Sequence, residues 1–182
     1  MVGTALTIKC LVGDASAVMK AIDNDLPGNV RVIDAGGTNF TTPFGSMSAT
    51  AAKLRGIDGC VTNGAVRDYD ELVEIGLPVF AAGVSIRGNV KNHQGWIGID
   101  VTVGGVIVQS EDIVVGDSDG VVVVPAKSAE QICSKASKQQ EKERQIMQRI
   151  LSGERLTKIF GIEKYATHYH IKLFIVLFNN NL

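Results

Sequence analysis

Cysteine is scarce in this 182-residue chain, and the three present, Cys10, Cys60 and Cys133, are odd in number and widely spaced. No CxxC pair and no partnership with histidine suggests zinc, so they read as reduced packing residues of an intracellular protein rather than a disulfide framework. Net charge is nearly absent too. The formal value is −1 with charges spread along most of the chain, so no basic face argues for direct binding to nucleic acid or an acidic membrane surface. Small, soluble partners are expected instead. The apolar segment Ile171 to Phe178 falls far short of the roughly 18 residues a membrane span needs. The opening MVGTALTIKC lacks the charged region, long apolar stretch and small-residue cleavage site of a secretory signal, so the expected location is cytoplasmic.

Familiar chemical signatures are also missing. Without GxGxxG, GxxxxGK[ST] or HExxH, the dinucleotide, P-loop and zincin readings lose their usual anchors.

What is present is a core and a rhythm. With 45% hydrophobic and 20% charged residues, the chain is long enough for one domain with a sizeable core and too short for two comfortable ones. Composition shifts only at the end, from Tyr165, where "YATHYHIKLFIVLFNNNL" reads as a disordered tail or a segment foreign to the ancestral domain. Its His168 and His170 could ligate a metal, but two tail histidines without a third ligand are more often incidental.

Strand and helix alternate before that. "ALTIKC" predicts a strand, Ala15 to Asn24 a helix behind Asp14 as N-cap, and "VRVID" a second strand, together a βαβ unit. The glycine-rich "AGGTNFTTPFG" leads to a packed helix "SMSATAAKLRG", then strand "GCVTN", helix "DYDELVEIG" stopping at Gly76, and strand "VFAAG". After Gly95 the pattern turns to β-structure through "IGIDVTVGGVIV", "DIVVGDSDG" and "VVVVP". A long helix from Ala126 to Leu151 closes the series, with Ile132, Ala136, Ile146, Met147 and Ile150 on one stripe. The expected class is a three-layer α/β domain with a β-rich second half and a long C-terminal helix, not a doubly wound dinucleotide fold.

In parallel α/β sheets ligands collect where strand C-terminal ends meet helix N-termini. Gly45, Ser46, Met47 and Ser48 open one helix after the glycine-rich loop, where unpaired N–H groups and the helix dipole would attract a carboxylate. Arg67 and Asp68 open the next, where a guanidinium can grip a carboxylate or carbonyl and an acid can hold a hard cation. If successive strands are neighbours, the two places face one another. From spacing alone, Asp68 with Glu71 and Ser46 or Ser48 could equally be helix caps, and Arg67 could pair with Asp70 or Glu71 on the surface. Asn63 reads as a turn residue.

The stretches "VRVIDAGG", "ATAAKLRGIDGCVTNGAVRD", "KNHQGWIGIDVTVGGVIV" and "DIVVGDSDGVVVVP" resemble the family that joins the 4-hydroxy-4-methyl-2-oxoglutarate aldolases with the regulator of ribonuclease activity A proteins. The resemblance runs from about Gly3 to Ile162, within an expected domain of residues 1–164, and is most specific at "GAVRD". It implies a swivelling β/α domain assembled as trimers, sometimes hexamers, with active sites between subunits. It implies that Arg67 contacts the pyruvyl part of a 4-hydroxy-2-oxo acid and that Asp68 anchors a divalent metal, usually magnesium. The N–H groups from Gly45 through Ser48 would receive the pyruvate carboxylate. The implied activity is that of a class II, metal-dependent pyruvate aldolase, with oxaloacetate decarboxylation through the same pyruvate enolate. Two departures keep a second class open, a non-catalytic protein that binds and regulates a ribonuclease. Ser46 stands where the family commonly has an acid or amide, and the family's N-terminal segment, with an acid reaching a neighbouring subunit, is missing ahead of Met1.

Overall fold

Residues 1–24 and 26–165 are described by a computed structural model of the chain. The alternation read from the sequence is there: β1 (Val2–Lys9), α1 (Ser16–Asp23), β2 (Val30–Asp34), α2 (Ser46–Leu54), β3 (Gly59–Val66), α3 (Tyr69–Ile75) and β4 (Val79–Val84). The β-rich half follows as β5 (Trp96–Ile97), β6 (Val101–Val103), β7 (Val106–Val108), β8 (Ile113–Asp117) and β9 (Gly120–Val124). A single 3-10 turn at Ala126–Ser128 precedes α4 (Ala129–Leu151), so the long helix starts three residues later than expected, and α5 (Leu156–Ile159) comes last.

Local chemistry explains several boundaries. Asp14 lies just before the boundary residue of α1, Ala15, and its carboxylate accepts the Ser16 N–H at 2.7 Å. The helix then buries Ala17, Val18, Ala21 and Ile22 on one side. α3 ends on Gly76, whose φ of 68° is left-handed and whose N–H closes on the Leu72 carbonyl, a termination that glycine adopts without steric cost.

The main sheet runs β4-β3-β2-β1-β8-β9, with β5 pairing the far end of β1. β1 to β4 are mutually parallel, whereas β8 and β5 lie antiparallel to β1 at its two ends. Every residue of β2 is buried, as expected of a parallel strand covered on both faces. On one face Leu6, Ile8, Ile33 and Cys60 pack with residues of α1, α2 and α3, including Val18, Ala49 and Leu72. The alanines of α2 let that helix approach closely. On the other face Ala5, Val30, Val32 and Val61 pack with Val101 and Val108 of the β6–β7 hairpin. That hairpin turns on Gly104 and Gly105, both at positive φ (59° and 80°), which suits the tight two-residue turn the Gly-Gly pair predicts. Helices, sheet and hairpin make the three layers.

Gly116 to Gly120 spells GDSDG, which matches the GxSxG of a nucleophile elbow. It forms the turn between β8 and β9 rather than a strand-to-helix corner, so it lacks the elbow's setting. Cys10 and Cys60 are free and buried, as packing residues should be, but Cys133 is exposed, so the packing role expected of all three cysteines fails there. Burial pushes the Cys10 thiol up to about 12, which keeps it protonated and inert.

Met1–Cys133 forms one compact unit, and the described residues from Ser134 onward belong to a second. In the second, Arg149 holds Glu154 by two hydrogen bonds of 2.7 and 2.9 Å. No residue of α4 is buried, and Met147 of its expected apolar stripe is 53% exposed. Among the described residues no helix is long and apolar enough to cross a membrane. The apolar tail beyond Tyr165, with His168 and His170, lies outside the described residues.

Candidate functional site

The strand-end rule depends on which strands are neighbours, and β2 and β3 are hydrogen-bonded in parallel. The loop leaving β2 and the turn leaving β3 therefore emerge side by side. Phe44 makes a strand-like bridge to Val66, and the Arg67 N–H donates to the Phe44 carbonyl at 3.2 Å. This fastens the start of α2 to the end of β3.

Asp68 sits at the boundary before α3, yet its side chain makes no capping bond to that helix. It turns the other way, across the gap. One carboxylate oxygen accepts the Ser46 hydroxyl at 2.8 Å and the Ser46 N–H at 3.3 Å, and the other accepts Arg67 Nε at 3.1 Å. The spacing-based alternative of a capping Asp68 is thus not what the side chain does, and Arg67 pairs with Asp68 rather than with Asp70 or Glu71 among the described residues. The backbone at Asp68 is left-handed (φ 61°, ψ 53°), a conformation that costs most side chains of order 1 kcal/mol or more and that Asp and Asn tolerate best. The Ser46 hydroxyl, followed by the Ser46 N–H and the Arg67 charge, holds the Asp68 carboxyl below its ordinary value against the opposing effect of burial. The acid is ionised at neutral pH.

Glycines make room for this clamp. A Cβ on Gly45 would stand 3.1 Å from Asp68 Oδ2 and 3.4 Å from the Arg67 carbonyl, and one on Gly88 would stand 3.2 Å from Arg67 Nη1. Gly45 itself has extended backbone, so what the position requires is the missing side chain.

Of the four residues expected to offer N–H groups to a carboxylate, Ser46 has its N–H engaged by Asp68. The N–H groups of Met47 and Ser48, in the first turn of α2, find no acceptor among the described residues. These two belong to the anion-attracting end of α2, and Met47 and Ser48 line a cavity of about 110 Å³ together with Gly45, Arg67 and Asp68. Larger cavities lie elsewhere, including one of about 670 Å³ between the sheet and the β6–β7 hairpin, but its walls are mainly valine and glycine. The small one, by contrast, brings Arg67, Asp68 and Lys91 together.

Three further lining residues with polar side chains were not singled out from the sequence: Thr42, Asn89 and Lys91. Asn89 accepts the Thr42 N–H at 2.9 Å, and Thr42 Oγ1 donates to the Arg87 carbonyl at 2.8 Å. Asn89 and Lys91 ride on the loop that leaves β4, the next parallel strand, so the rule that pointed to the loops after β2 and β3 points here too. Asn63 is also not a turn residue. It lies inside β3, where the pairing with β4 shifts register between Thr62 and Ala65. Its side chain accepts the Ala35 N–H at 2.7 Å and donates to Asp34 (2.8 Å) and to the Thr102 carbonyl (3.0 Å), tying β2, β3 and the hairpin.

For a metal the donor set is thin but chemically apt. No group of three or more His, Cys, Asp or Glu side chains gathers among the described residues, which argues against zinc. Magnesium is different, because it keeps several waters and is commonly held by one or two carboxylates plus substrate oxygens. Asp68 fits that pattern.

The chain is similar to known proteins over most of its length. The family model described as RraA-like, aldolase/RraA, matches residues 1–123. A protein of Halalkalibacterium halodurans provisionally named 4-hydroxy-4-methyl-2-oxoglutarate aldolase is 38% identical over 140 residues, which is 77% of this chain and 67% of that one. Among solved structures, an uncharacterized protein of Pseudomonas syringae superposes with a TM-score of 0.78 at 30% identity, covering 89% of this chain and 76% of its own. The RNA-processing inhibitor RraA of Thermus thermophilis superposes with a TM-score of 0.64 at 29% identity, covering 68% of this chain and 75% of its own.

Proposed function

Because this chain belongs to the RraA-like, aldolase/RraA family, we propose that it is a divalent-metal-dependent lyase releasing pyruvate from 4-hydroxy-4-methyl-2-oxoglutarate and related 4-hydroxy-2-oxo acids. Oxaloacetate decarboxylation would follow through the same enolate. The observation that carries this reading is the convergence of Arg67, Asp68 and the first turn of α2 on one small cavity.

In the retro-aldol direction the 4-hydroxyl proton leaves, its O–H pair forms the new C4 carbonyl, the C3–C4 bond breaks with its pair moving through C3 and C2 onto the 2-oxo oxygen, and a proton from water then adds at C3 of the enolate to give pyruvate. The free N–H groups of Met47 and Ser48 hold the C1 carboxylate, reinforced by the dipole of α2. The Arg67 guanidinium faces the 2-oxo oxygen, where negative charge grows. Asp68 would hold magnesium, which supplies Lewis-acid stabilisation of that same charge when bound. Ser46 orients the Asp68 carboxylate by its 2.8 Å hydrogen bond but is a poor base at neutral pH. Water is therefore the first acceptor of the 4-hydroxyl proton. Decarboxylation needs no such base, since loss of CO2 itself delivers the electron pair.

Assembly as a trimer or hexamer, with sites between subunits, belongs to the same proposal. The exposure of Tyr69, Val73 and Val84 on α3 and β4, directly beside the clamp, supports it. Light scattering of the purified chain measures the assembly.

A second reading has its own support. The Asp68 carboxylate is already satisfied by Ser46 and Arg67, so the cluster is also stable as a metal-free structural feature, and a solved relative is described as an RNA-processing inhibitor. The deciding experiment measures pyruvate release from both oxo acids with and without magnesium. Metal-dependent turnover that disappears in Asp68→Ala supports the lyase. Absence of turnover beside stable capture of a ribonuclease supports the regulator.

A further inference from the structure

Outside the clamp, the most deeply buried acid among the described residues of the first unit has no part in the chemistry above. Asp14 is 4% exposed, between β1 and α1. One of its oxygens serves its own helix through the Ser16 N–H at 2.7 Å. The other serves a distant segment, accepting the N–H groups of Asn92 at 2.8 Å and His93 at 3.0 Å, with His93 Nδ1 a further 3.4 Å contact. The main chain repeats the connection: the Val90 N–H donates to the Gly13 carbonyl at 2.9 Å and the Ala15 N–H to the Val90 carbonyl at 3.1 Å. Burial pushes the Asp14 carboxyl up, but these N–H groups outweigh it and leave the acid below its ordinary range.

Resting on the lyase reading, we propose that Asp14 is a positioning residue of this site, holding residues 88–93 in place as the wall that carries Asn89 and Lys91.

The chemistry of the acid favours this role. Capping α1 needs one acceptor oxygen, which an asparagine or serine would supply without the cost of burying a charge. Accepting from both directions at once needs two oxygens with no N–H among them, and only a carboxylate provides that. The segment it holds runs against the clamp at Gly88, opposite Arg67, and is pinned a second time by Thr42 on Asn89. Between these two anchors sits Lys91, the second cation of the cavity besides Arg67. The latch therefore sets where that cation stands relative to a bound oxo acid while touching no reacting atom.

The test compares wild type with Asp14→Asn, which keeps the size of the side chain but turns an N–H toward one of its donors. Asn92→Pro keeps the buried acid and deletes a donor from the loop side, so it carries the same expectation if Asp14→Asn folds poorly. Steady-state pyruvate release with magnesium should show KM for the oxo acid raised about tenfold with kcat within about threefold, the signature of lost binding rather than lost chemistry. Backbone amide exchange should quicken at Val90 and His93 in both variants, and at Asn92 in Asp14→Asn, while the amides of β2 and β3 stay protected. A KM unchanged in both variants, or a fall in kcat alone in proportion to lost folded protein, overturns the positioning role. A wild-type chain that turns over neither oxo acid overturns the lyase reading and the positioning role with it.

Discussion

Asp68→Asn perturbs the clamp with the least change of shape, because asparagine tolerates the left-handed backbone that position 68 requires. The amide can offer only one oxygen. If that oxygen faces Ser46, which brings two donors at 2.8 and 3.3 Å, the amide N–H2 faces Arg67 Nε and the 3.1 Å ion pair is lost. A hydrogen bond to a charged group contributes about 1.5–3 kcal/mol, and partial exposure of this pair puts the loss of stability near the low end, about 1–2 kcal/mol. The acid's pKa is lowered in the folded chain, so its stabilising effect is fully present above the ordinary value of 3.8 and disappears as pH falls through the lower folded value. Urea titrations of wild type and variant should therefore differ at pH 7 and converge in acid. The effect on turnover is larger. Removing the ligand for the cation and releasing Arg67 strips the 2-oxo oxygen of both positive groups, which should lower kcat by about a thousandfold, equivalent to about 4 kcal/mol of transition-state stabilisation. Pyruvate release coupled to NADH oxidation by lactate dehydrogenase measures it. Turnover within threefold of wild type at saturating magnesium would refute the clamp, however the stability behaves.

Gly45→Ala should weaken the site without unfolding it: a methyl 3.1 Å from Asp68 Oδ2 costs about 1–3 kcal/mol of crowding, read as about tenfold slower pyruvate release with a small fall in melting temperature. Asn63→Asp should destabilise the fold by about 1–3 kcal/mol near neutral pH, because a carboxylate would replace the amide 2.8 Å from Asp34 and leave the Thr102 carbonyl without its donor. Repulsion raises the pKa of that carboxylate pair, so the loss should shrink as pH falls, and thermal melts across pH 4 to 8 check the sign. With no histidine and no carboxylate besides Asp68 lining the cavity among the described residues, oxaloacetate decarboxylation should outpace retro-aldol cleavage by about tenfold or more, and equal rates would place an unrecognised base at the site.

The fold was legible where its signals are local. Helical spacing in α1, the stop at Gly76 and the Gly104-Gly105 turn are each set by a few neighbouring residues. Arg67 and Asp68 were legible because a charged pair at the end of an apolar strand demands a reason. Their partner was legible only on the condition that β2 and β3 are adjacent, which they are. What the sequence hid is long-range or conformational. Asn63 looks like turn chemistry, but a register shift places it inside a strand, where its amide finds Asp34 and Thr102. The pairing of β8 with β1 joins residues more than a hundred positions apart, and no local pattern encodes it. Thr42, Asn89 and Lys91 belong to the site because of where two loops cross, although the loop after β4 obeys the same strand-end logic. Nor does residue type alone reveal that Asp68 turns away from the helix it precedes.

The left-handed backbone at Asp68 also bears on how such a protein could change its trade. Most replacements there would strain the turn, but asparagine and glycine fit it, and each is one nucleotide away from an aspartate codon. The substitution most damaging to the proposed chemistry is thus among those the chain can absorb with little loss of folding. A lineage holding this turn could give up catalysis in one mutational step and still inherit an intact scaffold, free to be selected for its surface alone.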